Sequence, residues 1–183
     1  ANVFIETAIN NRIGGTAAGA GNVIAFSQGP GIGVSTTSTG NALSGNSIFS
    51  NSGLGIDLGV DGRTANDACD GDTGANNKQN FPVLTSATSD ATNTTITGTL
   101  SATANTLYRV EVFASNSCDP SGNGEGKVFL GFANVATDAS CNGSFTLMVP
   151  NAAITGSVVT GTATDPNGNT SEFSSCVPVG VPA

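Results

Sequence analysis

Apolar residues in the first sixty positions occur as short groups separated by glycine and asparagine. Ile32-Gly33-Val34 and Ile56-Asp57-Leu58 alternate with a period of two, which predicts short strands with one buried face. No ten-residue window has the spacing of an amphipathic helix, and the frequent glycines oppose helix formation. This part of the chain is therefore predicted to consist of short strands joined by turns.

These groups belong to an internal repeat. Residues 21–34 align without a gap on residues 45–58, with six identical positions and one conservative pair, Val34 and Leu58. Repeats with a period of about 20 to 50 residues are typical of solenoids. We expect a short right-handed parallel β-helix of about two to three coils over residues 1–60, with Asn22 stacked on Asn46 in a side-chain ladder.

Longer alternating segments begin at about residue 80. Seven of them, separated by turn residues, predict an antiparallel β-sandwich of immunoglobulin or fibronectin type III class over residues 81–183. An acidic linker over residues 61–80 would join the two domains of this all-β protein. The predicted strands lie at residues 82–85, 95–100, 108–113, 127–132, 145–149, 158–163 and 172–179.

Four widely spaced cysteines predict disulfides, because the chain has no histidine and no paired cysteines that would suggest zinc. Disulfides indicate an oxidising compartment, so we expect an extracellular or cell-surface protein. Three pairings are possible, and four free buried thiols are the alternative. In the sandwich topology Cys118 and Cys176 share one pole and Cys69 and Cys141 the other, which favours the pairs Cys118–Cys176 and Cys69–Cys141.

Composition excludes several functions. Five Lys and Arg against 13 Asp and Glu give a net charge of −8, so no nucleic-acid partner is expected. Without histidine, neither a Ser-His-Asp nor a Cys-His nucleophile system exists. The apolar runs are far shorter than the roughly 20 residues that span a membrane. Two or three coils with few charged groups do not form the long groove of a polysaccharide lyase or hydrolase, so we expect no enzymatic activity.

The acidic linker holds the candidate metal site. Asp67, Asp70, Asp72 and Asn76 fall within ten residues, next to glycines. Clustered carboxylates repel one another unless a cation bridges them, and Ca²⁺ takes oxygen ligands from such loops. These four residues are predicted to bind Ca²⁺, although their spacing is not that of an EF-hand. A solvated acidic loop held by the Cys69 disulfide is the alternative.

Several motifs resemble the C-terminal part of secreted bacterial right-handed parallel β-helix repeat proteins that end in an Ig-like β-sandwich domain. The resemblance covers nearly the whole chain and implies a large exported surface protein, of which this chain would be the C-terminal part. The matching motifs are NRIGGT (11–16), GAGNVI (19–24), GIDLG (55–59), ND (66–67), DGDTG (70–74), QNFPVL (79–84), CDPSG (118–122), GEG (124–126) and NTSEFS (169–174).

A β-helix this short has one further implication. Each coil must bury a face against its neighbours, so an uncovered end exposes apolar residues and unpaired backbone groups. We expect Val3, Phe4 and Ile5 to add as a strand to a neighbouring subunit, and head-to-tail contacts of this kind produce filaments. The sequence therefore predicts a structural filament or surface-layer subunit. A fragment of an adhesin, or a module that binds cell-surface glycans, is the alternative.

Overall fold

The computed structural model describes residues 1–90, 92–150 and 154–181, and these form an all-β protein. Two short 3₁₀ helices, Ala68–Asp70 and Ala75–Lys78, lie between its first seven and last seven strands. The strands are β1 (Val3–Ile5), β2 (Arg12–Gly14), β3 (Val23–Ala25), β4 (Ile32–Val34), β5 (Ala42–Ser44), β6 (Ser47–Phe49), β7 (Ile56–Leu58), β8 (Val83–Ser89), β9 (Asn93–Ser101), β10 (Leu107–Ser115), β11 (Val128–Ala136), β12 (Asn142–Pro150), β13 (Val158–Thr164) and β14 (Val177–Pro178).

The first seven strands pair with one another only in parallel, in three small sheets. Strand order is β1-β4-β7 in the first sheet, and β2-β5 and β3-β6 form the other two. Ile24 lies opposite Ile48 and Ile32 opposite Ile56, so the register predicted by the repeat is confirmed. Asn22 Nδ2 donates to Asn46 Oδ1 at 3.0 Å, as the expected ladder requires.

The spacing between paired residues is not constant along the chain. Contacts between Asn22 and Asn46 join residues 24 apart, whereas those between Asn11 and Asn41 join residues 30 apart. The extra residues lie in the connection between β2 and β3, which is longer than the connection between β5 and β6. A loop outside the sheets therefore absorbs an insertion that leaves the strand pairing intact.

The last seven strands form two antiparallel, sandwich-like sheets, with orders β12-β9-β8 and β11-β10-β13-β14. Ile96 and Leu100 of β9 face Val110 and Val112 of β10 in one buried core. These strands lie where the alternating pattern predicts them, except at the last one. There the strand covers only Val177–Pro178, and residues 172–173 lie outside it.

A second core connects the parallel and antiparallel sheets. Phe113 and Phe173 from the C-terminal half pack with the buried isoleucines of the parallel sheets, and their rings meet edge to face at 5.5 Å. A Cβ atom at Gly55 would lie 2.8 Å from the Phe173 ring, so glycine is needed there for the ring to fit. Among the described residues, no helix has the length and apolar character needed to cross a membrane.

Candidate functional site

Three buried glutamates of the C-terminal half accept hydrogen bonds from backbone N–H groups of the parallel sheets. Glu111 Oε2 accepts from Gly45 at 2.8 Å. Glu125 Oε2 accepts from Asn51 at 3.2 Å. Glu172 Oε1 accepts from Leu58 at 2.9 Å. A buried N–H group without an acceptor is costly, so these carboxylates stabilise the last strands of the parallel sheets.

Other groups complete the same face, which we call the covered end. It consists of the outward-facing N–H groups of residues 40–58 together with their acceptors from the C-terminal half. Ile48 and Gly126 exchange two backbone hydrogen bonds, of 2.8 and 3.0 Å. Leu43 donates to Thr170 Oγ1 at 2.9 Å. The covered end therefore has acceptors where a further parallel strand of each sheet would otherwise supply them.

Two of the glutamates of the covered end, Glu125 and Glu172, have raised pKa values. Burial raises the pKa of Glu172 to about 7, although the hydrogen bonds from Leu58 and Thr64 act in the opposite direction. Burial likewise raises the pKa of Glu125, again against the effect of its hydrogen bonds. Glu111 is 1% exposed and accepts from Arg109 Nε at 2.8 Å, so its charge has a partner. Both pKa shifts reflect carboxylates held away from water by the junction.

The structure has the two disulfides that the strand order favoured. Cys69 and Cys141 are joined with Cα atoms 5.2 Å apart, and Cys118 and Cys176 with Cα atoms 5.9 Å apart. The first bond connects the acidic segment to the turn before β12. The second ties the loop after β10 to the residue before β14. Segments outside the strands are thereby fixed to the sandwich-like sheets.

Three of the predicted metal ligands come together. One carboxylate oxygen from each of Asp67, Asp70 and Asp72 lies within 4.8 Å of the others. Burial raises the pKa of Asp70 to about 7, and the Asp67 and Asp72 charges add to this, while a hydrogen bond from the Asn80 N–H opposes it. Asp72 Oδ1 is buried and has no hydrogen-bond partner. The cluster thus concentrates negative charge with little local compensation.

Asn76, the fourth predicted ligand, is used in a different way. Its Oδ1 accepts from the Asn41 N–H at 3.0 Å, and its Nδ2 donates to the carbonyl oxygens of Asn41 and Thr170. Asn41 Oδ1 in turn accepts from the N–H of Asn11 at 3.1 Å. Asn76 is fully buried at the end of this asparagine ladder, so its amide serves the covered end rather than the aspartates.

The opposite end of the parallel sheets is formed by β1, β2 and β3, and we call it the open end. Within the described residues these strands have strand partners on one side only. Val3 donates to Gly31 O at 3.1 Å, and Ile5 O accepts from Ser35 at 2.9 Å. Backbone groups of successive strand residues point in opposite directions, so the N–H and C=O of Phe4 face away from β4. The Phe4 side chain is 51% exposed and that of Val23 is 74% exposed.

The sequence analysis missed the glutamates of the covered end. A signal for one of them was present, because Glu111 is a charged residue between two valines in a mostly apolar strand. Glu125 and Glu172 belong to the motifs GEG and NTSEFS, which were recognised only as features of a resemblance. The N–H donors they bind are far away in sequence, so their role required the tertiary structure.

Comparison with protein-family models and with curated proteins identifies no relative of this chain. No protein-family model matches the sequence, and no curated protein matches it.

Proposed function

We propose that this chain is a non-enzymatic extracellular structural protein that self-associates head-to-tail. In this proposal the parallel sheets are a short right-handed parallel β-helix, and the antiparallel sheets are a fibronectin-type-III-like domain that covers one end of it. The repeat-matched parallel registers support the first assignment. The sheet orders β12-β9-β8 and β11-β10-β13-β14 support the second.

The difference between the two ends carries the proposal. At the covered end, side chains such as Glu125 and Glu172 accept the outward N–H groups. The open end offers the free backbone groups of Phe4 and exposed apolar side chains, including Val23 and Phe26 at 74% exposure each. Exposed strand edges of this kind pair readily with another chain. The open end is therefore the surface through which a subunit would add to its neighbour.

The receiving surface must lie elsewhere, because the covered end has its N–H groups occupied. Strand β11 pairs with β10 on one side and has no other strand partner within the described residues. Val128, Phe129 and Phe132 on β11 are 53, 42 and 45% exposed. A strand edge with apolar side chains suits the addition of β1 from the next subunit. Contact between two different surfaces would propagate as a filament.

Two further features suit a durable extracellular protein. Disulfides that fix irregular segments are typical of oxidising compartments. The aspartate cluster has the oxygen ligands and the negative charge that Ca²⁺ requires, with Asp67, Asp70 and Asp72 as the proposed ligands. Bound Ca²⁺ would relieve the repulsion among these carboxylates and would stiffen the segment between β7 and β8.

Sedimentation velocity of the wild type, Phe4→Pro and Phe4→Val tests the proposal. Proline removes the outward N–H of residue 4 without removing a hydrogen bond to β4, whereas valine keeps that N–H. We expect wild type and Phe4→Val to form particles larger than 17.9 kDa and Phe4→Pro to remain monomeric. A wild-type monomer at every concentration would instead favour the adhesin alternative, and equal association of both variants would exclude β1 as the contact.

A further inference from the structure

A groove runs along the junction between the turn after β6 and the disulfide-bonded loop after β10. It consists of two adjoining cavities of about 340 and 420 Å³, which share Asn51, Asp119 and Pro120 in their walls. Each volume falls in the range of sites that hold small ligands. Because the cavities adjoin, the groove accommodates an elongated molecule better than a compact one.

Polar groups without partners line the first cavity. Ser50, Asn116 and Ser117 are exposed there, and their side chains form no hydrogen bond within the described parts of the chain. Asp119 Oδ1 accepts from the Ser121 N–H at 2.8 Å, which leaves the second carboxylate oxygen available. Hydroxyl, amide and carboxylate groups together can both donate to and accept from a ligand that is rich in hydroxyls.

An aromatic wall and two cations flank these polar groups. The Phe49 ring lines the first cavity and meets Phe26 edge to face at 5.8 Å. Lys127 Nζ lies 4.7 Å from the centre of the Phe49 ring. Arg63 lines the second cavity. The chain has only five basic residues, and two of them lie in this groove. The groove therefore differs in charge from the rest of the surface, which is mostly acidic.

The groove is also fixed before any ligand binds. Glu125 holds both the backbone N–H and the side-chain amide of Asn51. The Cys118–Cys176 disulfide anchors the opposite wall, and the Asp119 N–H donates to Gly124 O at 3.0 Å. Walls that are held in place reduce the entropy lost on binding.

This chemistry narrows the class of ligand. The first cavity has a mainly polar lining, which does not suit an apolar molecule, and a net charge of −8 opposes a nucleic acid. An extended peptide that binds as an added strand needs an open edge, but Ile48 and Gly126 already pair with each other beside the groove. Sugar hydroxyls match amide and carboxylate groups, and the C–H faces of sugar rings pack on aromatic side chains.

We propose that this groove binds a short oligosaccharide. Asn116 and Asp119 bind ring hydroxyls in the first cavity, Phe49 forms its apolar wall, and the cations are Lys127 in the first cavity and Arg63 in the second. This inference goes beyond the structural role proposed above, and it does not depend on self-association.

Binding of the full chain to a panel of immobilised glucose, N-acetylglucosamine, galactose and galacturonic acid oligosaccharides tests the proposal. The variants are Asn116→Ala and Lys127→Ala, with Asn134→Ala on β11 as a matched exposed control. We expect at least one oligosaccharide to bind. Both groove variants should weaken that binding about tenfold or more, as loss of one or two polar contacts predicts, and the control should bind like the wild type.

Two results would overturn the proposal. One is failure of the wild type to bind any member of the panel, and the other is equal binding by all three variants. Asn116, Lys127 and Asn134 are exposed, so unfolding is not expected to confuse the comparison. The thermal midpoint of each variant checks that expectation directly.

Discussion

The Glu125 carboxylate binds both hydrogen-bond donors of Asn51. Oε1 accepts from Asn51 Nδ2 at 2.6 Å, and Oε2 accepts from the backbone N–H at 3.2 Å. Asn51 has the same relation to the preceding repeat, because its Oδ1 accepts from the backbone N–H of Ser27 at 3.0 Å. Glu125 therefore takes the position that an asparagine of one further repeat would occupy, and in this way the C-terminal half ends the repeat.

Removing this acceptor should destabilise the fold. Glu125→Ala leaves the buried backbone N–H of Asn51 without its acceptor, while Asn51 Nδ2 keeps the carbonyl oxygens of Ile24 and Phe49. We expect a loss of about 1–3 kcal/mol in the free energy of unfolding. Glu125→Gln keeps one acceptor and should lose less. Urea denaturation measures both, with Glu6→Ala at an exposed position as the control. Equal stability of Glu125→Ala and the control would show that the hydrogen bonds do not stabilise the covered end.

The raised pKa of Glu172 predicts that the stability of the fold depends on pH. Its pKa is about 7 in the folded state against an ordinary value of 4.5, so the folded protein keeps a proton that the unfolded chain releases. The resulting stabilisation is complete below about pH 4.5 and is lost as the pH rises to about 7. As the pH rises between these values, the free energy of unfolding should fall less in Glu172→Gln than in the wild type. Urea denaturation across this pH range measures the difference, and parallel curves for the two proteins would contradict the prediction.

Calcium should stabilise the protein through the aspartate cluster. At about pH 8 Asp70 is ionised, and bound Ca²⁺ would raise the melting temperature because it favours the folded state. The double variant Asp70→Asn/Asp72→Asn should lose this increase, while Asp61→Asn, at an exposed acid outside the cluster, should keep it. Differential scanning calorimetry with Ca²⁺ or with EDTA measures it. An unchanged melting temperature in the wild type would mean that the cluster is a solvated loop.

The two disulfides should contribute separately. They close loops with sequence separations of 72 and 58 residues. Replacing either pair by serine should therefore cost about 2–4 kcal/mol of unfolding free energy. The Cys69/Cys141 variant should also show a smaller Ca²⁺ effect, because Cys69 lies between Asp67 and Asp70. If Ca²⁺ raised the melting temperature of that variant as much as that of the wild type, the disulfide would have no part in holding the aspartate cluster.

Patterns local in sequence predicted the strands of this fold well. The period-two alternation located β4 and β7, and the alignment of residues 21–34 on 45–58 gave their pairing. The agreement in pairing is expected because stacked repeats must align. The expectation of a single buried face was wrong for these two strands, since all three residues of β4 and of β7 are buried. The cysteine pairs also followed, since strand order fixes which loops share a pole.

Such local patterns did not predict the contacts between the two halves of the chain. Asn76 looked like a metal ligand because it is close in sequence to Asp70 and Asp72. Its side chain instead binds Asn41, 35 residues away in the sequence. The same limit applies to Glu172, which binds the Leu58 N–H across 114 residues. A polar residue that binds a donor far away in the sequence produces no periodic pattern around itself. Sequence spacing alone therefore groups it with the polar residues that are next to it in the chain.

Negative-stain electron microscopy of concentrated wild-type protein tests the central claim most directly. The account predicts filaments, because the open end would bind a different surface of the next subunit and the contact would repeat. It further predicts that filaments are absent from Phe4→Pro and present in Phe4→Val. A uniform field of single 17.9 kDa particles at the highest concentration would contradict the account.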